Sequence, residues 1–581
     1  MNLFFESFSP GISLALSFVL ASGTSLILVP VVSKFASVYG LFDGVGLNRQ
    51  TEVGRKIHTG AVPRLGGVAM VVAFLASLSI LPAATPYQGI LFSSLAVFLT
   101  GLIDDFTPLS AKIRLAVQIA AATFAVYHDH LALEHLTLSK QFIIFLPEPL
   151  GGVLSVFLIV GAINAVNLID GLDGLAAGVV LIGVSLLSFA DFVTTQRADV
   201  LLTLAVPMIG VILGFLRYNT YPASIFMGDG GSNWLGFMSG ALLLVALQPG
   251  PVTGVSPPFV SIVLTFSIPI IDTAVVMIRR IRAKRSPFSA DKNHFHHTLL
   301  RIGLNHGQSV TTIYFLSLAF GVLGIFPAIF PKYDLPWIPY VVGIFLLLII
   351  PASTKIDDNS IRAAQASESR LRSSSISPRL SATIYYWENL NRYVLFAILI
   401  LGPALSGRVP KELGYWSLGV ISLIMASTAI PQNKRGAVFF DSFAISCASI
   451  VILTVNNINP MTIQWEDGPL QIHSLYNGLF SFLFLSSVIL FLVTVRRRSI
   501  IFTPPDFLLA TVPLLILLLP QDWKIQYKLD LISLRCLVIF MAIRILSKRK
   551  PRYISSLKIA CIAALTWVYL VAIHGVRILY L

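Results

Sequence analysis

Acidic residues are scarce in this sequence: 27 Asp and Glu stand against 41 Lys and Arg in 581 residues, and charged side chains make up only 12%. Typical soluble proteins carry about 25%. So thin a supply of charge excludes a soluble enzyme of this length, and excludes a chain that stays disordered in water. Cysteine is scarcer still. The three present (Cys447, Cys536, Cys561) lie inside apolar runs, so they frame no disulfide scaffold and show no zinc spacing. What the sequence has instead is hydrophobicity, 56% by count with a mean hydropathy of +0.82. Much of the chain must therefore meet lipid. The net charge of +14 then reports membrane orientation rather than nucleic-acid binding.

A helix needs about 20 mostly apolar residues to cross the hydrocarbon core. The apolar runs predict an all-α polytopic integral membrane protein of about 18 transmembrane helices. The first group falls at approximately 10–31, 66–83, 89–104, 112–127, 151–167, 174–190, 199–216, 232–248, 259–279, 313–331 and 337–353. A second group follows at approximately 391–407, 413–430, 438–456, 474–495, 503–520, 530–547 and 555–576. The first run has no basic segment before it and no small-residue cleavage site after it, so it reads as a retained helix. Residues 354–390 are rich in Ser, Ala and Arg and predict a cytoplasmic linker. The expected organisation is a membrane module over 1–353, that linker, and a second multi-span module of unassigned role over 391–581.

With the amino terminus outside, the inward loops collect Arg49, Arg55, Lys56, Arg64, Lys112, Arg114, Arg279, Arg280, Arg282, Lys284 and Arg285, and later Arg496 to Arg498 and Lys548 to Arg552. Outward loops hold only scattered charges such as Lys140, Arg197 and Lys332. One register thus satisfies the positive-inside rule along the whole chain.

A carboxylate inside a membrane costs roughly 2.5–3.5 kcal/mol by insertion scales, so its position is informative. Asp104 and Asp105 close the third predicted span, Asp170 and Asp173 follow the fifth, and Asp229 precedes the eighth. The basic-residue topology puts all of them on the cytoplasmic side. Asn164, Asn167, Asp170 and Asp173 step by three, which makes one polar stripe for as long as the chain stays helical. A lone Asp at a helix end is most often a solvated cap. Several on one face, in glycine-rich surroundings, argue for more. Crowded carboxylates repel unless a cation or basic groups neutralise them, and oxygen ligands without cysteine favour a hard ion, Mg²⁺, with Mn²⁺ as its substitute.

Basic groups are expected on the same face: Lys56, His58 and Arg64 in one loop, Lys112 in the next, and Asp291 with His294, His296 and His297 in the loop after the ninth span. The His-x-His-His run could ligate a transition metal, yet no clear set of further zinc ligands accompanies it. Hydrogen bonding to phosphate oxygens suits it better, given the nearby Arg and Lys. A polar loop without a role is the plain alternative. Carboxylates for Mg²⁺ beside cations for phosphate are the equipment of phosphoryl transfer.

Residues Arg55–Gly67, Gly101–Phe106 with Leu109–Lys112, Asn164–Gly178, Phe226–Gly236 and Asp291–His297 stand in an order and spacing that resembles the polyprenyl-phosphate N-acetylhexosamine-1-phosphate transferases (glycosyltransferase family 4). The resemblance covers approximately residues 1–350. The His294-x-His296-His297 run resembles the undecaprenyl-phosphate GlcNAc-1-phosphate branch. The phospho-MurNAc-pentapeptide translocase branch has three consecutive histidines, and this departure argues against peptidoglycan precursor synthesis.

What the resemblance implies is transfer of sugar 1-phosphate from a UDP-N-acetylhexosamine to a polyprenyl phosphate, with release of UMP, in the bacterial cytoplasmic membrane. It implies Asp229, Asp104, Asp170 and Asp173 as ligands of Mg²⁺. It implies Asp104, Asp105, Asp229 and the three histidines as catalytic groups, with the division of labour between Asp104 and Asp105 open. Lys56, His58, Arg64, Lys112, Asn164, Asn167 and Asp291 would bind substrate. Members are often dimeric, so a homodimer is a further expectation. The competing class is a lipid or glycolipid transporter, whose polar site should lie near the membrane midplane rather than at one face.

Overall fold

The computed structural model divides into two compact units, residues 1–370 and 371–581. In the first it describes residues 10–40, 62–79, 81, 87–139, 142–195, 200–248, 258–282, 284, 294–301, 304–329 and 341. In the second it describes 390–400, 403, 409–428, 444–445, 447–455, 462–465, 468–471, 479–483, 485–487, 532, 534–536, 538–540, 542–543 and 552–574. Of the predicted linker 354–390 only residue 390 is described, and of the predicted spans 337–353 and 503–520 only residue 341.

The first unit runs α1 (Pro10–Val38), α2 (Gly66–Leu78), α3 (Gln88–Phe106), α4 (Ala111–His128), β1 (His135–Ser139), β2 (Phe142–Phe145), α5 (Glu148–Ile169), α6 (Leu175–Thr195), α7 (Val200–Asn219) and α8 (Gly228–Leu247). It continues with α9 (Phe259–Val263), a 3₁₀ turn (Leu264–Phe266), α10 (Ser267–Arg282), α11 (Phe295–Arg301) and α12 (His306–Ile329). The second unit contains α13 (Lys411–Thr428), β3 (Thr462–Trp465), β4 (Gly468–Gln471) and α14 (Arg552–His574). Among the described residues, nine helices are long and apolar enough to cross a membrane, eight of them in the first unit. The chain is an all-α polytopic membrane protein. α2 is too short to count among the nine, and α4 is diluted by Lys112, Arg114 and Gln118.

Two antiparallel hairpins, β1–β2 and β3–β4, were not foreseen from the sequence. Their strands are four or five residues long, far below the length that an apolar-run reading detects. The predicted ninth span is also not one uniform helix, because the 3₁₀ turn at Leu264–Phe266 separates α9 from α10.

Small residues on α8 explain its central place. Lipid offers helices no hydrophobic drive to associate, so close backbone packing must serve. α8 is buried along nearly its whole length and packs against α2, α3, α5 and α6. A Cβ on Gly236 would fall 2.5 Å from Ile163 Cα, and one on Gly240 would fall 2.8 Å from Ile159 Cα. On the other side, a Cβ on Gly67 would fall 2.6 Å from Gly231 Cα. Phe74 meets Trp234 edge-on at 5.3 Å. This packing brings the amino end of α8 to the carboxyl ends of α3 and α5.

Candidate active site

The ends of these three helices are tied together by side chains. α3 stops at Phe106, just before Pro108, which disfavours helix in the residue ahead of it; Ser110 then caps α4 by accepting from Ile113 N at 3.3 Å. At the last turn of α3, Asp105 accepts from the backbone N–H groups of Asp229 (2.9 Å) and Gly230 (3.1 Å). It is a helix cap, but for α8 rather than its own helix. That satisfies donors every helix start leaves open and places a negative charge at the positive end of the dipole. Gly228 makes the joint feasible. Its φ is +75°, and a Cβ there would run into Asp105 Oδ2 and lie 2.5 Å from the Arg64 carbonyl oxygen.

Asp104 is buried at 4% exposure and has its own partners. Arg114 Nη1 donates to its Oδ2 at 2.8 Å, and Leu109 N donates to its Oδ1 at 2.5 Å. The same Arg114 nitrogen lies 3.9 Å from Asp229 Oδ2, and the Asp229 side chain remains 38% exposed. Asn167 Nδ2 donates to Asp229 Oδ1 (3.2 Å) and to Ser232 Oγ (2.9 Å). Arg64 is close enough to act electrostatically on Asp105, Asp170 and Asp229 together. Its segment is fixed by three backbone bonds: Phe226 N to Pro63 O, Gly66 N to Phe226 O and Gly67 N to Met227 O.

The polar stripe divides where α5 ends. Asn164 turns to Gln118 Oε1 (3.0 Å) and to Val160 O in its own helix (2.8 Å), whereas Asn167 faces Asp229. Ile169 is the last helical residue, so Asp170 and Asp173 no longer follow the step of three. Asp170 is exposed at its surface and Asp173 is buried. Desolvation by the surrounding protein, and then the negative charge of Asp229, push Asp170 up to about 7, with Arg64 opposing. Solvent contact softens the first cause; the repulsion between carboxylates remains. Asp173 instead accepts from Ala223 N at 2.8 Å and lies 3.9 Å from His306 Nε2. The turn after it is held by Asn219 Oδ1, which accepts from Gly174 N at 3.0 Å, and by Tyr314, whose hydroxyl donates to Gly174 O at 2.5 Å.

The histidine segment arrives from α11. His296 is buried at 2% exposure and covers Gly171, where a Cβ would fall 2.5 Å from its Nε2. His297 stands beside it, ring centroids 4.3 Å apart. His294 is also buried, with Nδ1 3.0 Å from Asp272 Oδ2.

The structure therefore brings Asp104, Asp105, Asp170, Asp229, Asn167, Arg64 and His296 to one end of the helix bundle. It turns Asn164 and Asp173 toward neighbouring helices and loops. Lys112 is exposed on the first turn of α4. Lys56, His58 and Asp291 lie outside the described residues. Among the described residues, no three His, Cys, Asp or Glu side chains are grouped to hold a metal ion. Of the four expected ligands, Asp104 and Asp173 are buried and hydrogen-bonded into the fold, whereas Asp170 and Asp229 keep solvent-exposed carboxylates, Asp229 with one oxygen held by Asn167, and form the open pair. The sequence reading overlooked Arg114, His306 and Asp272 as site residues. In the sequence Arg114 reads as a topological marker, although its place ten residues after Asp104 in the next helix is a usable signal. Asp272 was visible as a lone acid within an apolar run.

Helix ends that gather carboxylates, an amide and two arginines at one end of a bundle of membrane-spanning helices define a phosphate-handling membrane enzyme. The description "Glycosyl transferase family 4" matches residues 87–247, the stretch from α3 to α8. The chain is 35% identical over 321 residues to a probable undecaprenyl-phosphate N-acetylglucosaminyl 1-phosphate transferase of Bacillus subtilis, covering 54% of this chain and 85% of that protein. It is 35% identical to a decaprenyl-phosphate N-acetylglucosaminephosphotransferase of Mycolicibacterium smegmatis, over 45% of this chain and 70% of the relative. It is 31% identical to an undecaprenyl-phosphate alpha-N-acetylglucosaminyl 1-phosphate transferase of Escherichia coli K12, over 47% and 74%. The chain belongs to glycosyl transferase family 4.

Proposed function

We propose that this protein transfers N-acetylglucosamine 1-phosphate from UDP-N-acetylglucosamine to undecaprenyl phosphate, releasing UMP at the cytoplasmic face of a bacterial inner membrane and starting a lipid-linked envelope glycan. The observation that carries the reading is the joint of α3, α5 and α8, where Asp229 is held by Asn167 and faced by Arg114. The names of the relatives support the sugar and the lipid class.

The lipid phosphate is a monoester with a second pKa of about 6, so near neutral pH it is mostly dianionic and needs no strong base. One of its oxygens attacks the sugar-side phosphorus; the bond from that phosphorus to the bridging oxygen breaks, and UMP leaves with the electron pair. Arg64 and Arg114 would face phosphate oxygens and offset their charge. Asn167 orients Asp229. The hydrogen bonds of Asp104 to Arg114 and of Asp105 to the α8 backbone favour positioning roles for both acids over proton transfer. Asp170 and Asp229 fit Mg²⁺, which usually takes one or two carboxylates and completes its shell with substrate phosphates and water. Bound there, Mg²⁺ supplies charge neutralisation to the diphosphate.

Mass spectrometry of the lipid product formed from a panel of UDP-sugars tests the reading. It should show a mass gain of one N-acetylhexosamine phosphate, greatest with UDP-N-acetylglucosamine; a free sugar or an unmodified lipid would contradict it.

Two further outcomes follow from the geometry. Asn167→Ala removes a hydrogen bond to a charged group, worth about 1.5–3 kcal/mol, so the transfer rate should fall about tenfold or more. Asn164→Ala should change it by less than about threefold, because its partners are Gln118 and its own helix. Equal losses in the two variants would mean that both amides serve the site.

The second outcome concerns pH. Asp170 takes up a proton as pH falls through about 7, and a neutral carboxyl attracts no cation. Apparent Mg²⁺ affinity should therefore rise from pH 6 to pH 8. Stability without Mg²⁺ moves the other way. A carboxyl raised above its ordinary value holds its proton more tightly when folded, so the thermal midpoint should drop as pH rises from 3.8 toward about 7. Saturating Mg²⁺ should flatten that slope.

A further inference from the structure

Asp272 lies inside α10 among apolar neighbours and is 3% exposed. A carboxylate in such a place is costly unless it is paired. Both of its oxygens are engaged from outside its own helix. Oδ2 lies 3.0 Å from His294 Nδ1, and Oδ1 accepts from Phe295 N at 2.9 Å. Two bonds from one buried carboxylate fix both the place and the rotation of the chain at His294 and Phe295. The next residue is His296, whose ring lies against Gly171, beside Asp170. The rings of His294 and His296 are 5.8 Å apart and nearly parallel at 8°, and His297 follows at 4.3 Å. A shift at His294 is therefore passed to the other two rings.

We infer that Asp272 is a positioning residue for the His294, His296 and His297 segment: it accepts the Nδ1 proton of His294, leaves Nε2 as the acceptor, and seats His296 over the Asp170 turn by holding Phe295. Only the kinetic consequence of this inference rests on the proposed transfer reaction. The physical logic is that of any carboxylate that selects a histidine tautomer through Nδ1. Asp272→Asn keeps the shape, and its amide oxygen can still accept from Phe295 N. Its NH₂ group then meets His294 Nδ1, which must give up its proton to accept.

The test uses the full chain in lipid, labelled with ¹⁵N-histidine, with ring resonances read by solid-state NMR and His294 assigned by its loss in His294→Gln. His294 should carry its proton on Nδ1 in the parent protein and on Nε2 in Asp272→Asn. In transfer assays Asp272→Asn should lower kcat about 10- to 100-fold, the range seen when an orienting partner of a histidine is lost. KM for the sugar nucleotide should move less than about threefold, since no uniform binding contact is removed. The double variant Asp272→Asn/His294→Gln should be no slower than His294→Gln, because the two residues act as one unit. A parent His294 protonated on Nε2 overturns the inference, and so do losses that multiply in the double variant. If Asp272→Asn does not fold, the parent tautomer still decides. A parent protein with the expected tautomer but no transfer from any UDP-sugar would overturn the transferase reading while leaving the Asp272–His294 arrangement standing.

Discussion

Asp229→Asn should cut sugar-phosphate transfer by about 10³-fold, the scale of losing one electrostatic group aimed at reacting charge, while the protein remains inserted and folded. The substitution is nearly isosteric, and its oxygen can still accept from Asn167, which now donates to Asp229 Oδ1. The backbone N–H of residue 229 keeps its bond to Asp105, so the joint between α3 and α8 survives. What disappears is one negative charge of the open pair with Asp170. Mg²⁺ titration of the variant should show weaker saturation at every pH, and the thermal midpoint without Mg²⁺ should rise, because the remaining carboxylates repel less. Unchanged turnover in this variant would remove the role assigned to the pair.

Gly101→Val should have the largest effect on stability, about 1–3 kcal/mol, the usual cost of forcing extra atoms into a packed interior. A Cβ at position 101 would fall 2.5 Å from the Asp229 carbonyl oxygen and 2.7 Å from Gly230 Cα. Both obstacles are backbone, so α3 and α8 would have to separate. The separation would move Asp104 and Asp105 relative to Asp229, and misplacement of reacting groups by about 1 Å can cost 10²-fold in rate. Thermal unfolding in detergent and the transfer rate should therefore fall together. Gly23→Ala is the control, since nothing lies within 4 Å of a Cβ there. A Gly101→Val protein that melts and turns over normally would show that the close approach of the two helices is dispensable.

The architecture was legible because lipid imposes simple rules. Apolar run lengths located α1, α3, α5, α6, α7 and α8, since an exposed backbone cannot be left unpaired in hydrocarbon. The rarity of acids drew attention to Asp104, Asp105, Asp170, Asp173 and Asp229. Their division of labour was not legible, because it depends on where helices stop. α5 ends at Ile169, so the stripe through Asn164 and Asp173 splits between two destinations. Asp105 carries out the plain capping role that any helix-end acid can have, but on a partner 124 residues away, a pairing that no local pattern contains. Asp272 and His294 are 22 residues apart and meet only through the fold. The hairpin β1–β2 escaped because its strands are short and its exposed face is apolar, with Phe145 at 79% exposure.

In the proposed reaction the charged ends of α3, α5 and α8 form one centre for direct transfer between two phosphates. UMP release by the purified full-length protein, measured with Mg²⁺ and UDP-N-acetylglucosamine in the presence and absence of undecaprenyl phosphate, addresses it most directly. UMP and lipid-linked product should form in equal amounts when the lipid phosphate is added, and neither should form without it. UMP released in its absence would point to an enzyme-bound sugar phosphate or to hydrolysis, and would contradict direct attack by the lipid.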